Sequence, residues 1–482
     1  MLEALRPTEV FGWFEALCGM PHGSGNTGEL SQWCLTQARA MGLECEMDYH
    51  GNVLVGKAGT AGQGAPVLLQ SHLDMVCACA PGCGRDLSRE GPELCTDGSR
   101  VWAQGTSLGA DDGIGVAMML ALLASPELPH PPLECLFTVD EETGMAGAMG
   151  LDPAWITARR MINLDAECDD TLWVGCAGGN TAVIRLPVVR THCGGGRVRL
   201  SVSGLAGGHS GVDIDKGRAN AILLLGRALQ LLGRKRSLRL IHAESRGAVN
   251  AIPSSAWAEL RMDGAHHELA RAGEELQALF RREYAAAEPG LHLTLAPSEE
   301  ESGEAPMDEA STSRAICLLT CSPNGVQERF PELDTPQTSL NLGEAWSDTD
   351  SLTCRYCIRS HLDSQTAMLN DRLAALAGCL GAEFSCSTGH PAWEYRRESP
   401  LCQCAGQVYQ ELFGASPRVA VTHGGAECGV LAAKIPDMDC IAIGPTIRDV
   451  HTPQETLYVE SVARAWRFLT ALLDRLSWSS CR

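Results

Sequence analysis

His72, Asp74, Glu141, Glu142, Asp165 and His451 each close or follow a short apolar run, and Asp111 sits in a glycine-bounded turn. The runs are Val67-Leu-Leu-Gln-Ser-His72-Leu-Asp74, Leu133-Glu-Cys-Leu-Phe-Thr-Val139-Asp-Glu141-Glu142, Met161-Ile-Asn-Leu-Asp165 and Cys440-Ile-Ala-Ile-Gly444, with His451 seven residues on. The turn is Thr106-Ser-Leu-Gly-Ala-Asp111-Asp-Gly-Ile-Gly115. Imidazole nitrogens and carboxylate oxygens are ligands for zinc, with manganese or cobalt as substitutes. An open α/β sheet gathers its ligands in the crevice at the carboxyl ends of its strands. Ligands from several strand ends in one crevice make a metal site, and this chain carries enough for two ions.

Singly, each residue has a commonplace reading. Asp111 reads as a helix N-cap, Glu141 and Glu142 as a solvated turn, and His451 as a structural histidine. Together they imply more. His72 and Asp74 are two apart, so on a strand they share a face; His72 suits a metal, and Asp74 can accept its other ring N–H. Asp112 is then the candidate N-cap, which frees Asp111 to bridge two ions. Stacked acids after a buried strand are costly without cations, so one of Glu141 and Glu142 binds metal and the other stays free as a general base. Three ligand carboxylates and a hydroxide carry about −4, matching the +4 of two divalent ions.

The elements that position these residues follow from periodicity. Residues 1–183 alternate strand-like and helix-like stretches, among them a helix over 29–41, a strand over 51–55 and a near-continuous apolar helix over 114–124. That alternation predicts a doubly wound, mostly parallel α/β sheet covered on both faces. Over 184–392 the pattern changes: strand 197–202, helix 219–232, strands 238–242 and 255–261, helix 267–280, strand 291–295. This is βαββαβ, a ferredoxin-like unit, and a second α+β set follows to residue 386. Residues 393–482, with a helix over 401–413 and a strand over 440–444, resume the first pattern. The expected organisation is a catalytic domain from 1–183 and 393–482, with 184–392 inserted as a lid and dimerisation domain.

Bulk composition fits a globular protein. The chain has 482 residues, 45% of them hydrophobic, and a net charge of −21. That charge argues against nucleic acid and anionic membranes as partners, which need a basic face. Acids open the chain where a signal peptide would carry basic and apolar residues, and no apolar run is long enough to span a bilayer, so a cytoplasmic location is expected. The 22 cysteines are then expected to be reduced. Cys354 and Cys357 read as a chance pair on a strand. Cys77, Cys79 and Cys83, in a Pro/Gly loop, have a minor reading as an adventitious metal site.

Several motifs carry a resemblance. Gln70-Ser-His-Leu-Asp-Met-Val76, Gly105-Thr-Ser-Leu-Gly-Ala-Asp-Asp-Gly-Ile-Gly115, Asp140-Glu-Glu-Thr-Gly-Met145, Asn163-Leu-Asp165, Gly207-Gly-His-Ser-Gly211 and Asn250-Ala-Ile-Pro253 resemble the co-catalytic zinc metallopeptidase family, and within it the bacterial dipeptidases of Xaa-His type. The resemblance covers essentially the whole chain. It implies His72, Asp111 and Asp165 on one metal, and Asp111 (bridging), Glu142 and His451 on the other. It further implies Glu141 as general base, Asp74 orienting His72, and His209 as a lid histidine that reaches the neighbouring subunit's site in dimeric relatives. Asn250 and Arg359 are implied contacts to the substrate's carbonyl and carboxylate, and Glu427 is a candidate near its amine. The implied activity is hydrolysis of a dipeptide, the implied cofactors two zinc ions, and the implied assembly a homodimer through the lid. An N-acyl amino acid deacylase or tripeptidase using the same site, and a non-catalytic metal- or peptide-binding protein, are the alternatives. The chain departs from the family at Asp112, where an Asn is expected, and in the cysteine-rich stretch 77–95.

Overall fold

The computed structural model describes residues 1–62, 64–298 and 304–478. They form two compact units: residues 1–176, 393–422 and 426–482 in the first, 177–392 and 423–425 in the second.

The first unit is built on an eight-stranded sheet. Its strands are β1 (Glu44–Met47), β2 (Val53–Lys57), β3 (Val67–His72), β4 (Leu133–Thr138), β5 (Arg160–Asn163), β6 (Thr171–Cys176), β7 (Arg418–Thr422) and β8 (Asp439–Ala442). They lie in the order β1-β2-β4-β3-β5-β8-β6-β7. The central four, β4, β3, β5 and β8, are mutually parallel, while β1 and β2 join antiparallel. Register then fixes which side chains gather. His72 pairs Thr138, Gln70 pairs Asn163 and Ala442 pairs Asn163. Four strands therefore end at one rim, and the residues just past those ends share it.

Burial explains the composition of these strands. All six residues of β3 are buried, because the sheet is covered on both faces and the usual in-out alternation is lost. The helix Ala110–Ala124 is buried from Ala110 to Leu123, and Ile114, Val116, Ala117 and Leu120 have no exposed surface. Towards the rim, polar groups replace apolar ones and pair with each other. Asn163 Nδ2 donates to Gln70 Oε1 (2.7 Å), and Gln70 Nε2 donates to Thr138 Oγ1 (3.0 Å).

The second unit holds a nine-stranded antiparallel sheet. Its first part is the strand Gly196–Ser203, helix Ala221–Gly233, strands Leu238–Ser245 and Ala256–Met262, helix His266–Tyr284 and strand His292–Pro297. In this part the fourth strand lies beside the first, then the third, then the second, the ferredoxin-like order that the βαββαβ pattern predicts. The strands Pro336–Ser347, Ser351–Ser360, Gly178–Pro187 and Glu383–Cys386 extend the same sheet. Sequence pattern shows two α+β sets here but not their fusion, because the joining pairs Glu244–Trp346 and Ser245–Ala345 bring together strands about a hundred residues apart. Cys354 is buried and Cys357 half-buried on one strand. Every cysteine among the described residues is a free thiol, and no described trio of clustered ligand atoms includes a sulfur. No helix among the described residues is long and apolar enough to cross a membrane.

One close approach ties the segment after β8 to the rim. A Cβ on Gly444 would lie 1.9 Å from the carbonyl oxygen of Ala166, one residue beyond Asp165. Gly444→Ala is therefore expected to destabilise the chain by about 1–3 kcal/mol, the usual cost of overpacking. Urea unfolding of the two proteins measures it, and equal stability would show that the backbones can part without cost.

Candidate metal centre

The rim of the parallel strands carries His72 at the end of β3, Glu141 and Glu142 after β4, and Asp165 after β5. Asp111 enters on the turn that begins Ala110–Ala124. Asp111 (φ −83°, ψ 106°) and Asp112 (φ −109°, ψ 29°) depart from helical angles, so the regular helix begins after them. His451 follows β8 at φ 62°, and Asp140 stands at φ 59°. Both are left-handed conformations that histidine and aspartate adopt at a cost and that cluster at functional sites. Asp140 is held by Gly25, whose N–H donates to its Oδ1 (2.6 Å).

The centre is organised around Asp111. Its Oδ1 lies 3.2 Å from His72 Nε2, and its Oδ2 lies 3.1 Å from His451 Nε2. His72 Nε2 is also 3.7 Å from Asp165 Oδ1, and His451 Nε2 is 2.8 Å from Glu142 Oε1. One ligand atom each from Asp111, Glu142 and His451 falls within 4.8 Å of the others, and the same holds for His72, Asp112 and Asp165 and for His72, Glu141 and Glu142. The trio around His72 and Asp165 thus closes on Asp112 as well as leaning on Asp111.

His72 Nδ1 bonds the backbone carbonyl of Asp74 at 2.9 Å, while the Asp74 carboxylate stands 3.5 Å away. That carboxylate also accepts the N–H groups of Glu141 (3.0 Å) and Glu142 (3.3 Å) and the hydroxyl of Ser24 (2.8 Å). It anchors the backbone of the glutamate pair, and the Asp74 carbonyl and carboxylate both face His72 Nδ1. Asp112 is buried beside Asp111, and its Oδ2 has no hydrogen-bond partner.

Electrostatics shows what this packing demands. No lysine or arginine pairs with these acids among the described residues; their cationic neighbours are His72 and His451. Burial, with Glu427, Glu142 and Asp111 nearby, pushes the Glu141 carboxyl up to about 8 against the pull of His72. Burial pushes Asp112 up to about 8 as well, and burial with the Asp111 charge holds Asp165 well above the usual range. Burial opposes a charge on His72, but the carboxylates of Asp165, Asp111 and Asp74 outweigh it and raise the imidazole well above its ordinary value. Hydrogen bonds to Asp111 and Glu142 raise His451 to about 11. Two like charges 4 Å apart repel by about 4 kcal/mol at an effective dielectric constant near 20. Divalent cations remove that penalty. Glu142 Oε1, buried 2.8 Å from His451 Nε2, and the mixed oxygen and nitrogen donors fit such ions.

Glu427 is the first residue of the helix Glu427–Lys434, and it is 1% exposed. Its Oε2 accepts from Gln70 Nε2 and Thr138 Oγ1, both at 2.6 Å, and its Oε1 has no partner. His209, Asn250 and Arg359 belong to the second unit. Gly208–His209 pairs Ala251–Ile252, Ser210 N–H donates to Asn250 O (2.8 Å), and His209 N–H donates to Asp213 Oδ2 (2.8 Å). Arg359 has no acidic partner among the described residues, and its Nε has no hydrogen-bond partner. Burial lowers His209, His390 and His423, and the Arg359 charge lowers them further. Sequence reasoning missed His423 and His361, buried and stacked with ring centres 5.6 Å apart, as well as Gln70, Thr138 and Asn163. The signal for the last three was available: polar residues ending otherwise apolar strands.

Comparison with known proteins agrees with this architecture. The cytosol non-specific dipeptidase of Escherichia coli K12 is 34% identical over 481 residues, 98% of this chain and 99% of that protein. The crystal structure of aminoacylhistidine dipeptidase from Vibrio alginolyticus matches with a TM-score of 0.91 at 32% identity, over 98% of each chain. A tripeptidase from Staphylococcus aureus shares the fold, with a TM-score of 0.56 at 15% identity over 98% of this chain and 99% of that one. The model of peptidase family M20/M25/M40 matches residues 68–475, and the chain belongs to this family of peptidases.

Proposed function

We propose that this chain is a dinuclear metal-dependent dipeptidase, with Xaa-His dipeptides among its substrates. The observation that carries the reading is Asp111, which turns one carboxylate oxygen to His72 and the other to His451, as a carboxylate bridging two cations must. His72, Asp111 and Asp165 are the proposed ligands of one ion, and Asp111, Glu142 and His451 of the other. Zinc is the proposed metal, with manganese or cobalt as substitutes. The names of the Escherichia coli and Vibrio relatives support a dipeptide substrate, and they differ on breadth: one is called non-specific, the other aminoacylhistidine. A cytosolic location is proposed on the name of the first.

When bound, the ions lower the pKa of a water towards ~7 and polarise a carbonyl. Glu141 takes the proton of the attacking water on a carboxylate oxygen and delivers it to the leaving amine nitrogen. Asp74 holds the Glu141 and Glu142 backbone while this happens. A dipeptidase must also recognise two free termini. Arg359, which has no acidic partner among the described residues, suits the carboxylate, since its fork matches two oxygens. Asn250 and His209 are proposed to contact the scissile carbonyl, and Glu427, through its free Oε1, the α-amine. From the family resemblance we further propose a homodimer assembled through residues 184–392, with His209 supplied to the neighbouring subunit's site.

Glu141→Gln tests the chemistry. It is expected to keep both metals by elemental analysis and to lose about 10²–10⁴ or more in kcat on a panel of Xaa-His and other dipeptides. Turnover like that of the unmodified chain would end the mechanism. Cleavage by the unmodified chain of acetylated amino acids or tripeptides, with dipeptides left intact, would favour the deacylase or tripeptidase reading. Co-expression of two inactive chains, His209→Ala and Glu141→Gln, tests the assembly: a mixed dimer regains one intact site and measurable activity, whereas no recovery in a demonstrated mixed dimer places His209 in its own subunit's site.

A further inference from the structure

Glu455 lies four residues beyond His451 and has no part in the reaction proposed above. It is 2% exposed and meets no lysine or arginine among the described residues. Both of its oxygens are spent on four consecutive backbone N–H groups. Oε2 accepts from Leu108 (2.7 Å) and Gly109 (3.0 Å), and Oε1 from Ala110 (2.8 Å) and Asp111 (3.2 Å).

The need for these bonds is local. A helix leaves its first N–H groups unsatisfied, and the helix Ala110–Ala124 has no side-chain cap of its own. Its turn passes through Gly109 at φ 74°, where a Cβ would strike Met75 Sδ at 2.8 Å. Successive N–H groups curled around such a turn form a nest for an anion, and here the anion is a side chain from about 345 residues away. Glu455 is itself tied back: its N–H donates to Thr452 O (3.1 Å), in the segment that His451 begins. The following strand Thr456–Tyr458 pairs with Arg100–Ala103, the strand that leads into the Asp111 turn.

We propose that Glu455 is a positioning residue of the metal centre, its carboxylate locking the Leu108–Asp111 turn to the His451 segment and so setting the separation of Asp111 from His451. The inference rests on the two-metal reading of that centre. Asp111 faces both imidazoles, so a small rotation of its turn displaces both ligand contacts at once. No motif marks the residue: in the sequence it stands in the loop Thr452-Pro-Gln-Glu455.

Zinc affinity of the metal-free chain, measured by competition with a chromophoric chelator, tests this apart from turnover. Glu455→Gln keeps the volume but turns an NH2 group against backbone donors. It is expected to weaken zinc binding by about 10–100-fold, the usual effect of losing a partner behind the ligands, and at saturating zinc to lower kcat more than it raises KM. Glu455→Asp, which restores the charge, is expected to recover part of the affinity. Leu472→Ala, in the helix Val459–Trp478, serves as a control: it lowers the melting temperature but leaves zinc affinity within about twofold. Unchanged zinc affinity in folded Glu455→Gln overturns the proposal, as does a loss that Leu472→Ala reproduces at equal melting temperature. If Glu455→Gln does not fold, Glu455→Asp carries the test: one methylene shorter, it must bind zinc more weakly than the unmodified chain, and equal affinity overturns the proposal. An unmodified chain that binds no zinc in this assay would sink the metal-centre reading itself, a separate result.

Discussion

Carboxylates repel one another, and this fold brings Asp111, Asp112, Glu141, Glu142 and Asp165 to one rim, largely out of water. Two imidazoles answer that charge in part. The rest of the first unit exists to hold the arrangement against its own repulsion. Parallel pairing of β4, β3, β5 and β8 puts the ends of the four strands together. Burial of the sheet on both faces makes the rim rigid, since a covered strand cannot shift without losing packing. The arrangement is stable where cations replace the missing water, and this is why a geometry so costly on its own points to metal chemistry.

Three supports act behind the rim, two through backbone groups and one through side chains. The carbonyl of Asp74 takes the His72 ring N–H, while the Asp74 carboxylate takes the N–H groups of Glu141 and Glu142. Glu455 takes the N–H groups of the Asp111 turn. The Gln70, Thr138 and Glu427 network binds β3, β4 and the helix Glu427–Lys434 together beneath the rim. Buried networks of this kind are costly when partly satisfied and specifying when complete. Glu427 retains one oxygen without a hydrogen-bond partner.

Much of this was legible in the sequence because its physics is local. Short apolar runs ending in acids or imidazoles give strands with ligands at their carboxyl ends, and the βαββαβ pattern gives the ferredoxin-like strand order. Glu455 was not legible, because its role depends on a hydrogen-bonded contact across about 345 residues, and a glutamate after Pro453 and Gln454 has no period or spacing to mark it. The bonds of the Asp74 carboxylate to the Glu141 and Glu142 N–H groups were not legible for a related reason: two-residue spacing tells which face a side chain shares, not which backbone groups of another strand end it meets. The four backbone N–H groups from Leu108 to Asp111 are met by the distant Glu455 carboxylate, a partner that no local spacing marks. The fusion of two α+β sets into one nine-stranded sheet also rests on pairs distant in the chain.

Crystals of the chain grown with zinc, with diffraction recorded on both sides of the zinc absorption edge, test the central claim directly. The account predicts two anomalous peaks about 3.5–4 Å apart, with one Asp111 oxygen on each, His72 on one side and His451 on the other. A single peak, or two peaks that do not share Asp111, would contradict it.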